Sequence, residues 1–180
     1  MKLKDLAGLF RRRQVMTAIL YSVGALIMLL LQSAPHGLPS PWGARPNLLV
    51  LYVTCVAVLE GGRTGMIIGT VAGILWGVFS FRLFGLDALI LMLIGLAAGL
   101  LVEWVMRANW LTALMLSSAA VLIQSLLEWL FCYVIFRREN LAELLYRVYL
   151  PNAVYSVLLI PAVYWLVFLV ARLLRRRERA

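Results

Sequence analysis

The 180-residue sequence predicts an all-α integral membrane protein, about six transmembrane helices in one bundle. Three observations carry that expectation. Apolar residues make up 64% of the chain and the mean hydropathy is +0.95, well above the roughly 45–50% apolar share of soluble domains. Charged residues are only 14% and gather toward the ends, too few to cover a soluble core of this size. The apolar runs, broken at Pro, Gly and charge clusters, come close to the ~20 residues that a spanning helix needs.

Taken in order, the runs are Val15–Gln32, Pro46–Gly61, Thr64–Phe81, Leu86–Met106, Trp110–Tyr133 and Leu150–Leu174. The first follows basic residues, is longer than a signal-peptide core and reads as a retained membrane anchor. The second is the shortest, with an uninterrupted apolar core only from Leu48 to Leu59. Pro46 suits its first helical turn, where a missing N–H costs nothing. Pro161 falls inside the sixth run and is expected to kink it. The whole of 1–180 reads as one polytopic domain with basic tails at about 1–13 and 172–180.

An even number of crossings puts both termini on one side. Twelve of the 17 Lys and Arg residues then share that side, and Arg45, Arg82, Arg137, Arg138 and Arg147 face the other. By the positive-inside rule both termini are cytoplasmic in a bacterial inner membrane. The net charge of +9 belongs to these flanks, which orient helices and touch anionic lipid headgroups. With neither a soluble fold nor a stacking platform, no nucleic-acid binding is expected.

Two outer segments exceed tight turns. Residues 33–44, "SAPHGLPSPWGA", are rich in Pro and Gly, which predicts irregular backbone with Trp42 at headgroup level. In "ENLAELLYRVYL", Asn140 and Glu143 have capping-box spacing, and Leu141, Leu144, Leu145 and Val148 share a face. This segment is expected to be a short amphipathic helix, either lying on the outer interface or docking a partner.

Chemistry-bearing residues are sparse. The single His36 has no carboxylate or cysteine at ligand spacing, no phosphate loop or nucleophile elbow occurs, and no cofactor or metal is expected. Cys55 and Cys132 sit within apolar runs as buried thiols. On the fifth run, Gln124 and Glu128 lie four apart on one face, with Ser117 on the same side. An intramembrane carboxylate is a functional candidate by default; the alternative is a structural pairing of Glu128 with Arg82, Arg137 or Arg138. The pairs Glu103 with Arg107 and Glu60 with Arg63 read as ordinary interface charges at helix ends.

One pattern is less ordinary. Gly65, Gly69, Gly73 and Gly77 recur every fourth residue along the third run. Each interior glycine weakens a helix by about 0.5–1 kcal/mol relative to alanine, so the ridge implies a close neighbour. Helix contacts in lipid rely on such small residues. Gly95, Ala98 and Gly99 on the fourth run offer a matching face, and the occupant is either that helix or a partner protein's helix.

The same region carries a resemblance. Residues 45–101 resemble the rod shape-determining protein MreD family through the helix lead-in Arg45, Pro46, Asn47 and through Gly69, Gly73, Gly85, Ala88, Gly95 and Gly99. Asp87 stands where that family commonly has Asn, and Gly77 where members often carry an acidic residue. The resemblance implies a non-enzymatic membrane subunit of the bacterial cell-elongation machinery. Its implied partners are MreC, RodA with its transpeptidase, and indirectly MreB filaments. It also implies a fold similar to the substrate-binding subunits of energy-coupling-factor vitamin transporters, which supplies the second functional reading. A lipid-modifying enzyme ranks last, lacking an acid/base or metal set.

Overall fold

The computed structural model describes residues 3–34, 46–80, 85–104, 109–136 and 150–177. These form six helices: α1 (Leu3–Ser33), α2 (Leu48–Glu60), α3 (Gly62–Ser80), α4 (Leu86–Trp104), α5 (Trp110–Phe136) and α6 (Leu150–Arg177). Four of them are long and apolar enough to cross a membrane, over Gly62–Phe79, Leu86–Trp104, Trp110–Leu130 and Pro151–Arg172. The other two apolar segments, Thr17–Ser33 and Leu48–Glu60, are shorter. The chain is therefore an all-helical membrane protein with four long apolar spans among the described residues.

The shortest helix is the central one. Every residue of α2 from Leu48 to Val58 is buried, whereas only 28–39% of the residues in the four long spans are buried inside the protein. α2 packs against all five other helices. Its sequence, LLVLYVTCVAVLE, is apolar around its whole circumference, the pattern of a helix enclosed on all sides. At ~1.5 Å per residue it is ~20 Å long, short of a ~30 Å hydrocarbon layer. Around it, α1 contacts α3, α3 lies along α4, and α5 lies along α6, while α4 barely touches α5.

Helix boundaries correct one expectation. Pro46 is buried but precedes α2, whose N-cap is Asn47, so proline does not occupy the first turn. The basic stretches at both ends are helical where described, since α1 begins at Leu3 and α6 runs on to Arg177. Pro161 lies inside α6, which continues through it. Arg45, His36, Trp42, Arg82, Arg107, Arg137, Arg138, Arg147 and the amphipathic segment 140–149 fall outside the described residues.

The bend between α2 and α3 is a single residue. Gly61 has φ +91°, a conformation that side chains strongly disfavour, and its N–H closes α2 on the Ala57 carbonyl at 2.9 Å. Its own carbonyl accepts the Gly65 N–H at 3.0 Å, opening α3.

Because α2 is enclosed and α4 is half in lipid, equal truncations should cost unequal amounts. Leu51 is 0% exposed and Leu93 is 49% exposed. Leu51→Ala should destabilise the protein by about 2–5 kcal/mol, and Leu93→Ala by under about 1 kcal/mol, as read from thermal unfolding in detergent.

Candidate functional site

Two features of the fold bring the singled-out residues together: a backbone-to-backbone seam between α3 and α4, and a set of polar side chains arranged around α2. The seam is the closer contact. A Cβ placed on Gly65 would lie 2.6 Å from the Gly95 carbonyl oxygen, one on Gly69 would strike the Leu91 carbonyl, and one on Gly73 would strike the Ala88 backbone. From the α4 side, Cβ atoms on Gly95 and Gly99 would strike Gly65 and Gly62. The paired positions run in opposite directions along the two helices, so the hairpin is antiparallel with its main chains in contact. The neighbour along Gly69 and Gly73 is thus α4 of the same chain, and Gly65 is wedged between α4 and Ala57 of α2.

Among the described residues, Gly77 has no such neighbour. No described residue comes within 4 Å of a Cβ placed on it. The register that pairs Gly73 with Ala88 would set Gly77 against position 84, before α4 begins at Leu86. The fourth-residue spacing continues past the end of its partner.

The seam is locked at one end by a carboxylate. Glu103, near the end of α4, accepts the Gly62 N–H at 2.8 Å through Oε1. A negative group there satisfies one of the unpaired donors of the first turn of α3 and complements that end of the helix dipole. Glu103 is therefore a cap for the neighbouring helix, a role that an i, i+4 reading within its own helix misses. The adjacent Gly61–Gly62 pair was the available signal, since it leaves backbone open to approach. Glu60 accepts a hydrogen bond from the Tyr21 hydroxyl at 3.1 Å, which ties α1 to the end of α2.

The polar side chains around α2 mostly serve backbone. At its start, the Asn47 N–H donates to Ser156 Oγ of α6 at 2.9 Å, and Ser156 in turn donates to the Asn152 carbonyl at 2.7 Å. The Leu49 N–H donates to Gln32 Oε1 of α1 at 3.2 Å. The Asn47 side chain makes no cap of its own. Midway, Thr54 Oγ1 lies 2.9 Å from the Val50 and Leu51 carbonyls and 2.9 Å from Ser117 Oγ of α5, with Cys55 Sγ 3.8 Å from the same Ser117 oxygen. The Tyr52 hydroxyl donates to the Tyr21 carbonyl at 2.9 Å beside Gly24, whose missing side chain makes room for the ring. Gln32, Ser156, Tyr21 and Tyr52 were not singled out by sequence, because a lone polar residue in an apolar run gives no clue to the distant backbone it meets.

Gln124 and Glu128 are joined: Gln124 Nε2 donates to Glu128 Oε1 at 3.0 Å. Gln124 is 1% exposed, and its Oε1 has no hydrogen-bond partner. Among the described residues, no three His, Cys, Asp or Glu side chains come together as a metal set.

A bundle whose polar groups tie helix ends to one another, in apolar surroundings, defines an integral helical membrane protein. The chain matches the rod shape-determining protein MreD family over residues 11–175 and belongs to that family, which acts in rod-shape determination. Comparison with the curated proteins and with the solved structures gives no match.

Two consequences can be measured. Gly69→Ala should destabilise the bundle by about 1–3 kcal/mol through forced separation of α3 from α4. Gly77→Ala should be neutral or stabilise by up to ~1 kcal/mol, the helix-propensity gain; thermal unfolding in detergent compares them. Glu103→Ala should cost about 0.5–2 kcal/mol through the lost cap. Its local signature is faster amide exchange at Gly62.

Proposed function

We propose that this chain is a non-enzymatic membrane scaffold of the bacterial cell-elongation machinery. In this reading it pairs with MreC and helps connect cytoplasmic MreB filaments to the peptidoglycan synthase formed by RodA and its transpeptidase. The observation that carries the reading is the family match over 11–175. The commitment of Glu103, Gln32 and Ser156 to backbone donors of neighbouring helices supports it, because side chains spent on architecture suit a body that others dock on.

The proposed topology has six crossings through the inner membrane in one polytopic unit, with both termini cytoplasmic. Its support is the basic asymmetry, twelve residues against five. The short α2 crosses inside the protein, where its length need not match the lipid. Exposed Trp104 and Trp110, at adjoining ends of α4 and α5, suit the cytoplasmic headgroup belt.

The glycine face is not the partner's seat in this reading. Gly65, Gly69, Gly73, Gly95 and Gly99 are taken up by the α3–α4 seam, so a partner helix meets the apolar outer surface instead. The energy-coupling-factor reading is carried by resemblance alone and is kept as an outcome of the test.

Purification in mild detergent followed by mass spectrometry should retain MreC or RodA. Recovery of an ATPase module with a bound vitamin would overturn the scaffold reading. Reporter fusions at Ala180 and within residues 35–44 should mark opposite compartments; the same compartment for both would refute the six-crossing topology.

A further inference from the structure

The polar layer at the start of α2 holds one group that the architecture does not use. α2 and α3 meet at Gly61, but α3 has 19 residues and α2 has 13. Six residues of helix correspond to ~9 Å, so α2 begins well below the far end of α3. Gln32, Asn47, Asn152 and Ser156, from α1, the N-cap of α2 and α6, meet at that level through the bonds already described. α5 brings Gln124 to the same layer. Thr54 and Ser117 touch at 2.9 Å; two turns further along each helix, in the opposed directions of an up-and-down bundle, stand Asn47 and Gln124.

The orientation of the Gln124 amide follows from Glu128. An ionised carboxylate only accepts, so the amide nitrogen faces Glu128 at 3.0 Å and the oxygen faces inward. That oxygen is buried and unpartnered. A buried acceptor without a donor is costly, and an apolar side chain of the same size would fill the space without that cost. A protonated Glu128 would reverse the amide and leave two inward donors in need of an acceptor. Either state calls for the same small neutral molecule, one able both to donate and to accept.

We infer that Gln124 holds an ordered water molecule inside the bundle, at the level where α2 begins. Water can donate to Gln124 Oε1, and the polar groups that helix register sets at this level are the candidates for the further partners an internal water needs. The site is the same whichever protein partner the chain has.

The chain has only three glutamines, Gln14, Gln32 and Gln124, so labelling the full-length protein with side-chain 15N-glutamine gives three pairs of amide signals, one pair per residue. The pair absent from Gln124→Met belongs to Gln124. A cross-peak between that amide and water in the folded protein is expected. Ordered density within about 3.2 Å of Gln124 Oε1 is expected in a structure fine enough to show water. A resolved Gln124 signal without a water cross-peak would overturn the inference. So would a protein donor seated on Oε1, or a dry apolar wall facing it.

Discussion

A helix with no exposed face, too short to cross a membrane by itself, imposes the main constraint on this molecule. α2 must have a neighbour on every side, and the backbone groups at its two ends are met by the protein itself. In an apolar medium each unsatisfied N–H or C=O costs several kcal/mol. The arrangement of the other five helices answers that requirement. α1 supplies Gln32, α6 supplies Ser156, and Gly61 turns the chain sharply enough to close the last turn on Ala57. α3 and α4 meet at backbone distance along their glycines, and Gly95 also brings α4 against Val53 of α2.

Much of this was legible in the sequence, and the unread part has a physical cause. Apolar runs located five of the six helices to within a few residues, because hydropathy is a property of each segment alone; α1 begins twelve residues before its run, at Leu3. The fourth-residue spacing of Gly65, Gly69 and Gly73 pointed to a close helix contact, since only close approach offsets the intrinsic cost of glycine. Gly77 shows the limit of that reasoning: periodicity within one helix says nothing about where its partner ends. The centrality of α2 was hidden for a similar reason, as its run looked like the weakest span when judged by length. A short segment with no polar face is weak against lipid but well suited to an interior.

Polar residues were harder still. The i, i+4 spacing of Glu103 and Arg107 gave no hint that the Glu103 carboxylate also sits on Gly62, 41 residues away. Ser156 reaches Asn47 across 109 residues. Neither distance leaves a mark in local sequence. Gln124 and Glu128 were visible because they are four apart on one helix. Family membership over residues 11–175 agrees with a resemblance first seen in residues 45–101, where the glycines and the Pro46–Asn47 lead-in concentrate the specific signal.

The dependence of α2 on Ser156 has a bearing on biogenesis. Ser156 belongs to the last helix made, so the start of α2 lacks that partner until nearly the whole chain has left the ribosome. At ~20 Å, α2 is also a poor candidate for lateral release into lipid by itself. The α3–α4 hairpin follows it immediately and carries its own glycine contact and its own Glu103 cap. That hairpin can therefore form early and shelter one flank of α2, leaving the other to α5 and α6. Insertion and folding overlap in such a protein, and a chain truncated after α4 would present an incompletely covered helix to membrane quality control.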